Sequence, residues 1–201
     1  MEGKTHAIVG AASYVALANK LPGKFSFLGM FIVVFAALLP DIDHPKSLFN
    51  KYILPIKNKI TKTILYFSLG VLILWFDYLY TNEKALKALG ISLILIGLSS
   101  HRNGLTHSLT GLLVFTFIVE YIGKNYNMPN IKYDFILGYS THLICDIMTK
   151  MGLPLFYPFL RKKIKLPLAF KVGSKTGKFI EGIISTLALV YMVYMLPSMH
   201  V

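Results

Sequence analysis

The fold class this sequence predicts is an all-α, polytopic transmembrane helical bundle that includes short re-entrant or interfacial helices. Three observations predict it. Hydrophobic residues make up 55% of the 201 residues and the mean hydropathy is +0.59, as expected where lipid is the solvent. Apolar, nearly charge-free runs are spread from end to end, with no cleavable signal-peptide pattern at the start. The basic residues lie between those runs, where an anionic membrane surface attracts them. The same charge, formally +12, suits nucleic acid only if it forms a basic face on a soluble fold, so no nucleic-acid partner is expected. One cysteine, Cys145, excludes an intramolecular disulfide framework and a Cys-rich zinc site.

Seven apolar segments follow in order: 7–20, 27–40, 63–80, 86–100, 108–122, 134–149 and 179–197. The third and seventh approach the roughly 20 residues that cross ~30 Å of hydrocarbon. The first two are shorter and are read as re-entrant or packed within the bundle. No internal repeat or low-complexity tract divides the chain, so residues 1–201 form a single membrane-embedded domain. Thirteen of the 21 Lys and Arg residues fall in the stretches 44–62 and 150–178. The positive-inside rule assigns both stretches to the cytoplasm. Loops 81–85 and 123–133 then lie outside. Trp75, Tyr78, Tyr80, Tyr121, Tyr126, Tyr191 and Tyr194 sit near outer segment ends, as an interfacial aromatic belt does.

On that topology, ligand-type residues gather at the inner rim. His6 opens the first segment. Asp41, Asp43 and His44 close the second. His101 and His107 bracket the junction of the fourth and fifth, His142 and Asp146 end the sixth, and Glu181 opens the seventh. Asp77, Glu83, Glu120, Asp134 and His200 fall toward the opposite face and are read as solvated. Each inner piece also has a plain structural reading. The i, i+4 spacing of His142 and Asp146 puts both on one helix face, to share a metal or to hydrogen-bond between helices. Asp41-x-Asp43-His44 can present three ligands from one turn, or form a wet helix end before Pro45. Arg102 can hold a phosphate oxygen or only follow the positive-inside bias. Thr106 and Ser108 suggest a nucleophile beside His107, but a helix cap fits Ser108 better. An acid such as Asp146 inside a membrane segment costs roughly 2.5–3.5 kcal/mol on insertion scales, so it calls for a partner, a metal or a wet cavity.

Imidazole and carboxylate without thiolate suit zinc, with manganese or iron as alternatives. The ligands suffice for one ion, or for two ions ~3.5–4 Å apart.

At these residues the sequence resembles the YdjM-type family, whose members are classed as membrane-bound metal-dependent hydrolases. The resemblance rests on Thr5-His6 with Gly10, LPDIDHPKS at Leu39 to Ser47, and RNGLTHS at Arg102 to Ser108. It continues through GYSTHLICDIMTKMG at Gly138 to Gly152 and KTGKFIEGI at Lys175 to Ile183. These blocks keep the family order over nearly the whole chain. Asn103 departs from a more basic form of the third block, which weakens phosphate binding at Arg102. The resemblance implies a multi-pass inner (plasma) membrane protein with a metal site facing the cytoplasm and a hydrolytic role.

The combined expectation is a metal-dependent hydrolase, a phosphoesterase acting on a phosphoester of an anionic lipid or small amphiphile. Asp41, His107, His142 and Asp146 are the expected first ligands, and His6 and His44 further metal ligands. Asp43, Glu181 and Arg102 are the expected catalytic residues, one of the two carboxylates serving as general base. The alternative is a non-catalytic metal-binding membrane protein that transports, senses or scaffolds.

Overall fold

The computed structural model describes residues 1–99 and 104–199. His101, Arg102 and His200 lie outside the described residues, so the expectations placed on them have no structural counterpart here.

Each of the seven apolar segments is a helix: α1 (Gly3–Leu17), α2 (Phe27–Leu38), α4 (Lys59–Phe76), α5 (Lys84–Leu98), α6 (Leu109–Asn125), α7 (Ile131–Ile147) and α8 (Lys175–Met195). A four-residue helix, α3 (Asn50–Ile53), lies in the basic stretch after α2. No strand occurs among the described residues; the long loop after α7 is tied by two isolated β-bridges, Thr149 to Phe170 and Leu153 to Ile164. Polar side chains start several helices by accepting orphan backbone N–H groups. Ser26 caps α2, Asn58 caps α4, Ser108 caps α6 and Ser174 caps α8. Ser108 is therefore a cap, as its position predicted.

α7 is the central post, packed against α1, α2 and α6; α8 lies on α1, and α4 pairs with α5. Small residues set these distances. A Cβ on Gly138 of α7 would stand 2.1 Å from the carbonyl oxygen of Val33 on α2, so the two backbones touch there. Gly70 makes the same kind of approach between α4 and α5, where a Cβ would meet the Gly90 carbonyl at 2.6 Å. Phe135, Tyr139 and Leu143 of α7 join Ala36, Tyr66, Ile96 and Phe115 in the main apolar core.

Among the described residues, two helices are long and apolar enough to cross a membrane: α4 with its π-helical extension, Lys59–Thr81, and α8 with its last turn, Lys175–Ser198. Both turn large apolar side chains outward, among them Phe67, Leu72 and Trp75 on α4 and Leu187, Val190 and Val193 on α8. The other five apolar helices have 12 to 17 residues. At 1.5 Å per residue the longest of these reaches only about 26 Å.

Asp77 corrects one expectation. It is fully buried rather than solvated. Its carboxylate accepts from Thr81 Oγ1 at 2.8 Å and from the Glu83 N–H at 2.5 Å, with Lys87 Nζ 3.7 Å away. It locks the turn between α4 and α5.

Candidate metal centre

The glycine contacts that crowd α1, α2 and α7 together also bring their polar residues to one level. Gly10 packs on Ala37, and the carbonyl of Ala37 lies 2.7 Å from His142 Nδ1. A carbonyl only accepts, so Nδ1 carries the proton and Nε2 is left with its lone pair toward the interior of the site. Asp146, one turn further along α7, presents Oδ2 at 3.7 Å from that nitrogen.

The 3₁₀ turn Leu39–Asp43, entered through Pro40 after α2, delivers Asp41. Its Oδ1 is 3.8 Å from His142 Nε2 and 3.5 Å from His107 Nε2. His107 ends a second 3₁₀ turn, Leu105–His107, just before α6. Its Nε2 is 3.4 Å from His142 Nε2 and 3.8 Å from Asp146 Oδ2. Asp41, His107, His142 and Asp146 thus bring one donor atom each to within 4.8 Å of one another.

The donors fit a divalent cation. Two imidazoles and two carboxylates are buried together, and buried carboxylates require compensating charge. The surroundings already supply some: the N-terminal ammonium of Met1 bonds to Asp146 Oδ1, and His6 Nε2 lies 3.3 Å from the same oxygen. Burial alone would raise the pKa of Asp41, but the imidazoles of His142 and His107 override it and hold its carboxyl well below the usual range. Burial would lower that of His107, but its hydrogen bond to Asp41 and the charges of Asp43, Asp41 and Asp146 raise it instead.

The remaining expected residues take separate positions. His6 is buried and stacks on His142, ring centroids 3.8 Å apart. The Asp41–His44 turn does not aim three side chains at one point. Only Asp41 belongs to the four-donor group. Asp43 accepts from Thr106 Oγ1 and, at 3.2 Å, from Ser99 Oγ. Thr106 Oγ1 in turn lies 3.2 Å from His107 Nδ1, so Asp43 acts on that histidine through the hydroxyl. His44 turns to the mouth of the site, where its Nδ1 accepts from the Lys46 N–H at 3.2 Å. Glu181 accepts from Thr5 Oγ1 at 3.0 Å and the Glu2 N–H at 2.8 Å, fixing the start of α1 near His6.

Several supporting residues escaped the sequence reading. Lys62 is buried, and its ammonium donates to the carbonyls of Ile96, Gly97 and Ser99 at 2.9–3.0 Å, closing the C-terminal end of α5. Asn50 donates to the carbonyls of Ile42 and His44, both at 2.7 Å, and accepts from Tyr66 Oη. It holds the Asp41 turn. Tyr139 donates to the Thr106 carbonyl at 2.5 Å. The one available signal was Lys62 itself, a cation in the first turn of an apolar helix.

The profile of the YdjM inner membrane protein family matches residues 1–199. This chain belongs to that family. Among YdjM relatives, the inner membrane protein YdjM of Escherichia coli (strain K12) is 27% identical over 169 residues, 83% of this chain and 65% of its own length. The YdjM of Shigella flexneri gives the same figures. YvsG of Bacillus subtilis (strain 168) is 29% identical over 203 residues, 98% of this chain and 96% of its own. No solved structure matches. The blocks that carried the resemblance therefore mark a YdjM family member, and they include all four donors of the buried Asp/His cluster, which can hold a metal ion.

Proposed function

We propose that this protein is a multi-pass membrane hydrolase whose metal site faces the cytoplasm and acts on a phosphoester of a lipid or small amphiphile. The observation that carries the reading is the four-donor group, Asp41, His107, His142 and Asp146, assembled from three separate parts of the chain. An N₂O₂ donor set is compatible with one tetrahedral zinc, and manganese or iron also accepts such ligands. A bound ion supplies Lewis acidity, polarising a phosphoryl oxygen and acidifying a water.

The protein's own groups supply orientation. Ala37 sets the tautomer of His142. Asp43, acting through Thr106, orients His107, so its part is to hold a ligand rather than to take a proton. Glu181 has the parallel task at the start of α1, beside His6. His6, stacked on His142 and beside Asp146, keeps an Nδ1 with no hydrogen-bond partner among the described residues. The outward apolar faces of α4 and α8 suit lipid. The basic stretches on either side of the site suit the anionic cytoplasmic leaflet. Clustering of the donors at one end of the bundle argues against a transport pathway, whose polar residues belong near the midplane.

The test is metal analysis of the purified protein, followed by assay of the metal-loaded form against phosphoesters, carboxylesters and amides. The expected result is a bound divalent ion and chelator-sensitive phosphoester cleavage. Metal-free protein, or cleavage of carboxylesters alone, overturns the reading.

A further inference from the structure

The four donors are closed off from solvent almost completely. The side chains of His107, His142 and Asp146 have no exposure, whereas that of Asp41 keeps 15%. Asp41 is also the donor that lines a cavity of about 500 Å³, a size typical of small-molecule sites. A ligand approaching through this cavity reaches the centre at Asp41.

The cavity's lining combines two kinds of side chain. Lys4 from the first turn of α1, Lys46 beyond the Asp41 turn and Lys51 of α3 all line it. All three are exposed, and none makes an ion pair among the described residues. Glu2 is a second acid in the lining beside Asp41, its backbone N–H tied to Glu181. Leu48, Met151 and Val172 add apolar surface to the lining.

We infer that this cavity is the substrate's seat: Lys4, Lys46 and Lys51 hold its phosphate beside Asp41, and the apolar side chains of the lining take the adjoining chain. The inference rests on the hydrolase reading and adds its recognition site. With Glu2 offsetting one of the three lysines, about two positive charges remain, and a phosphate monoester, which carries between one and two negative charges near neutral pH, matches them. A carboxylate, with one charge, leaves more of that positive charge uncompensated. Lysine binds phosphate as a mobile point charge, which suits three exposed side chains around an open mouth. The phosphate can belong to a lipid head group or to a water-soluble ester, and the chemistry of recognition is the same.

The test uses the full chain in maltoside detergent at pH 8, with binding read by calorimetry. The probes are dodecylphosphonate, inorganic phosphate and dodecanoate. Each single change, Lys4→Gln, Lys46→Gln or Lys51→Gln, is expected to weaken dodecylphosphonate about tenfold, the lower end for a hydrogen bond to a charged group. The triple variant is expected to lose at least about a hundredfold, with metal content and melting temperature unchanged. Dodecylphosphonate binding well above inorganic phosphate supports an amphiphile or lipid as the source. Equal binding supports a soluble phosphate ester. Dodecanoate binding as tightly as the phosphonate, or unchanged affinity in the triple variant, overturns the phosphate seat. Wild-type protein that lacks metal but binds phosphonate through the lysines keeps the seat and overturns the metal reading instead.

Discussion

Asp77 and Asp146 are both buried acids at helix ends, and both side chains are fully withdrawn from solvent. Their partners differ in origin. Asp77 finds a hydroxyl, a backbone N–H and a lysine within ten residues of its own position. Asp146 draws on two other stretches of chain: Oδ1 meets the Met1 ammonium and His6, and Oδ2 faces His107, while His142 lies one turn back on its own helix. A second carboxylate, Asp41, stands within 4.8 Å of the same group. A buried acid with local donors stabilises a turn. Two acids brought together from a distance repel each other unless positive charge lies beside them, and the group formed here can hold a metal ion.

The contrast is broken most directly by exchanging each acid for its amide. Asp146→Asn is expected to reduce bound metal from about one ion per chain to near zero, by mass spectrometry of the purified protein, with helix content by circular dichroism retained. Asp77→Asn is expected to keep the metal and to lose about 1–3 kcal/mol of stability, as an imperfectly matched buried hydrogen-bond site does. Loss of metal from both variants would erase the distinction.

Chelation gives the next largest effect. A ligand that binds only the folded state stabilises it by mass action, roughly 2.7 kcal/mol at a hundredfold excess over its Kd. Removing the ion with EDTA should therefore lower the melting temperature of the wild type and Asp77→Asn while leaving Asp146→Asn unchanged. Equal responses would show that the acid does not hold the ion.

Smaller effects test the supports. Thr106→Val removes the hydroxyl between Asp43 and His107, and Lys62→Met removes the ammonium that closes α5 onto Ser99. Each is expected to weaken metal affinity about 10–100-fold, read by competition with a chelating dye, with full occupancy restored at saturating metal. Loss of stability with unchanged affinity would make either residue a structural cap of the Asp77 kind. The mildest probe asks only where the two acids lie. In a Cys145→Ser background, cysteines at Lys57 and Lys171 should be labelled from the cytoplasmic side and one at Asn82, beside Asp77, from the outside. Labelling of positions 57 and 171 from opposite faces would sink the inward-facing site.

Much of this was readable in one dimension, for definite reasons. The seven apolar runs became seven helices because each is long, rich in good helix formers and bounded by a Ser, Asn, Pro or charged break. His107, His142, Asp41 and Asp146 stood out because ligating side chains are scarce in an apolar chain. The partition within Asp41-x-Asp43-His44 was not readable, since a 3₁₀ turn sends neighbouring side chains in different directions. Asp77 looked solvated because the residues that enclose it are aligned only once α4 and α5 pair. Lys62, Asn50 and Tyr139 bind backbone carbonyls, and a carbonyl carries no residue-specific mark in a sequence.

The sequence by itself determined an all-helical chain with its potential ligands held near segment ends, because hydrophobic run length and residue chemistry are local properties. Tertiary structure alone decided which of those residues share a centre, which support it, and that Asp41 is the donor facing the lysine-walled cavity. Those outcomes depend on how closely α1, α2 and α7 approach at Gly10 and Gly138, and interhelical distance is a property of packed backbones rather than of any one segment.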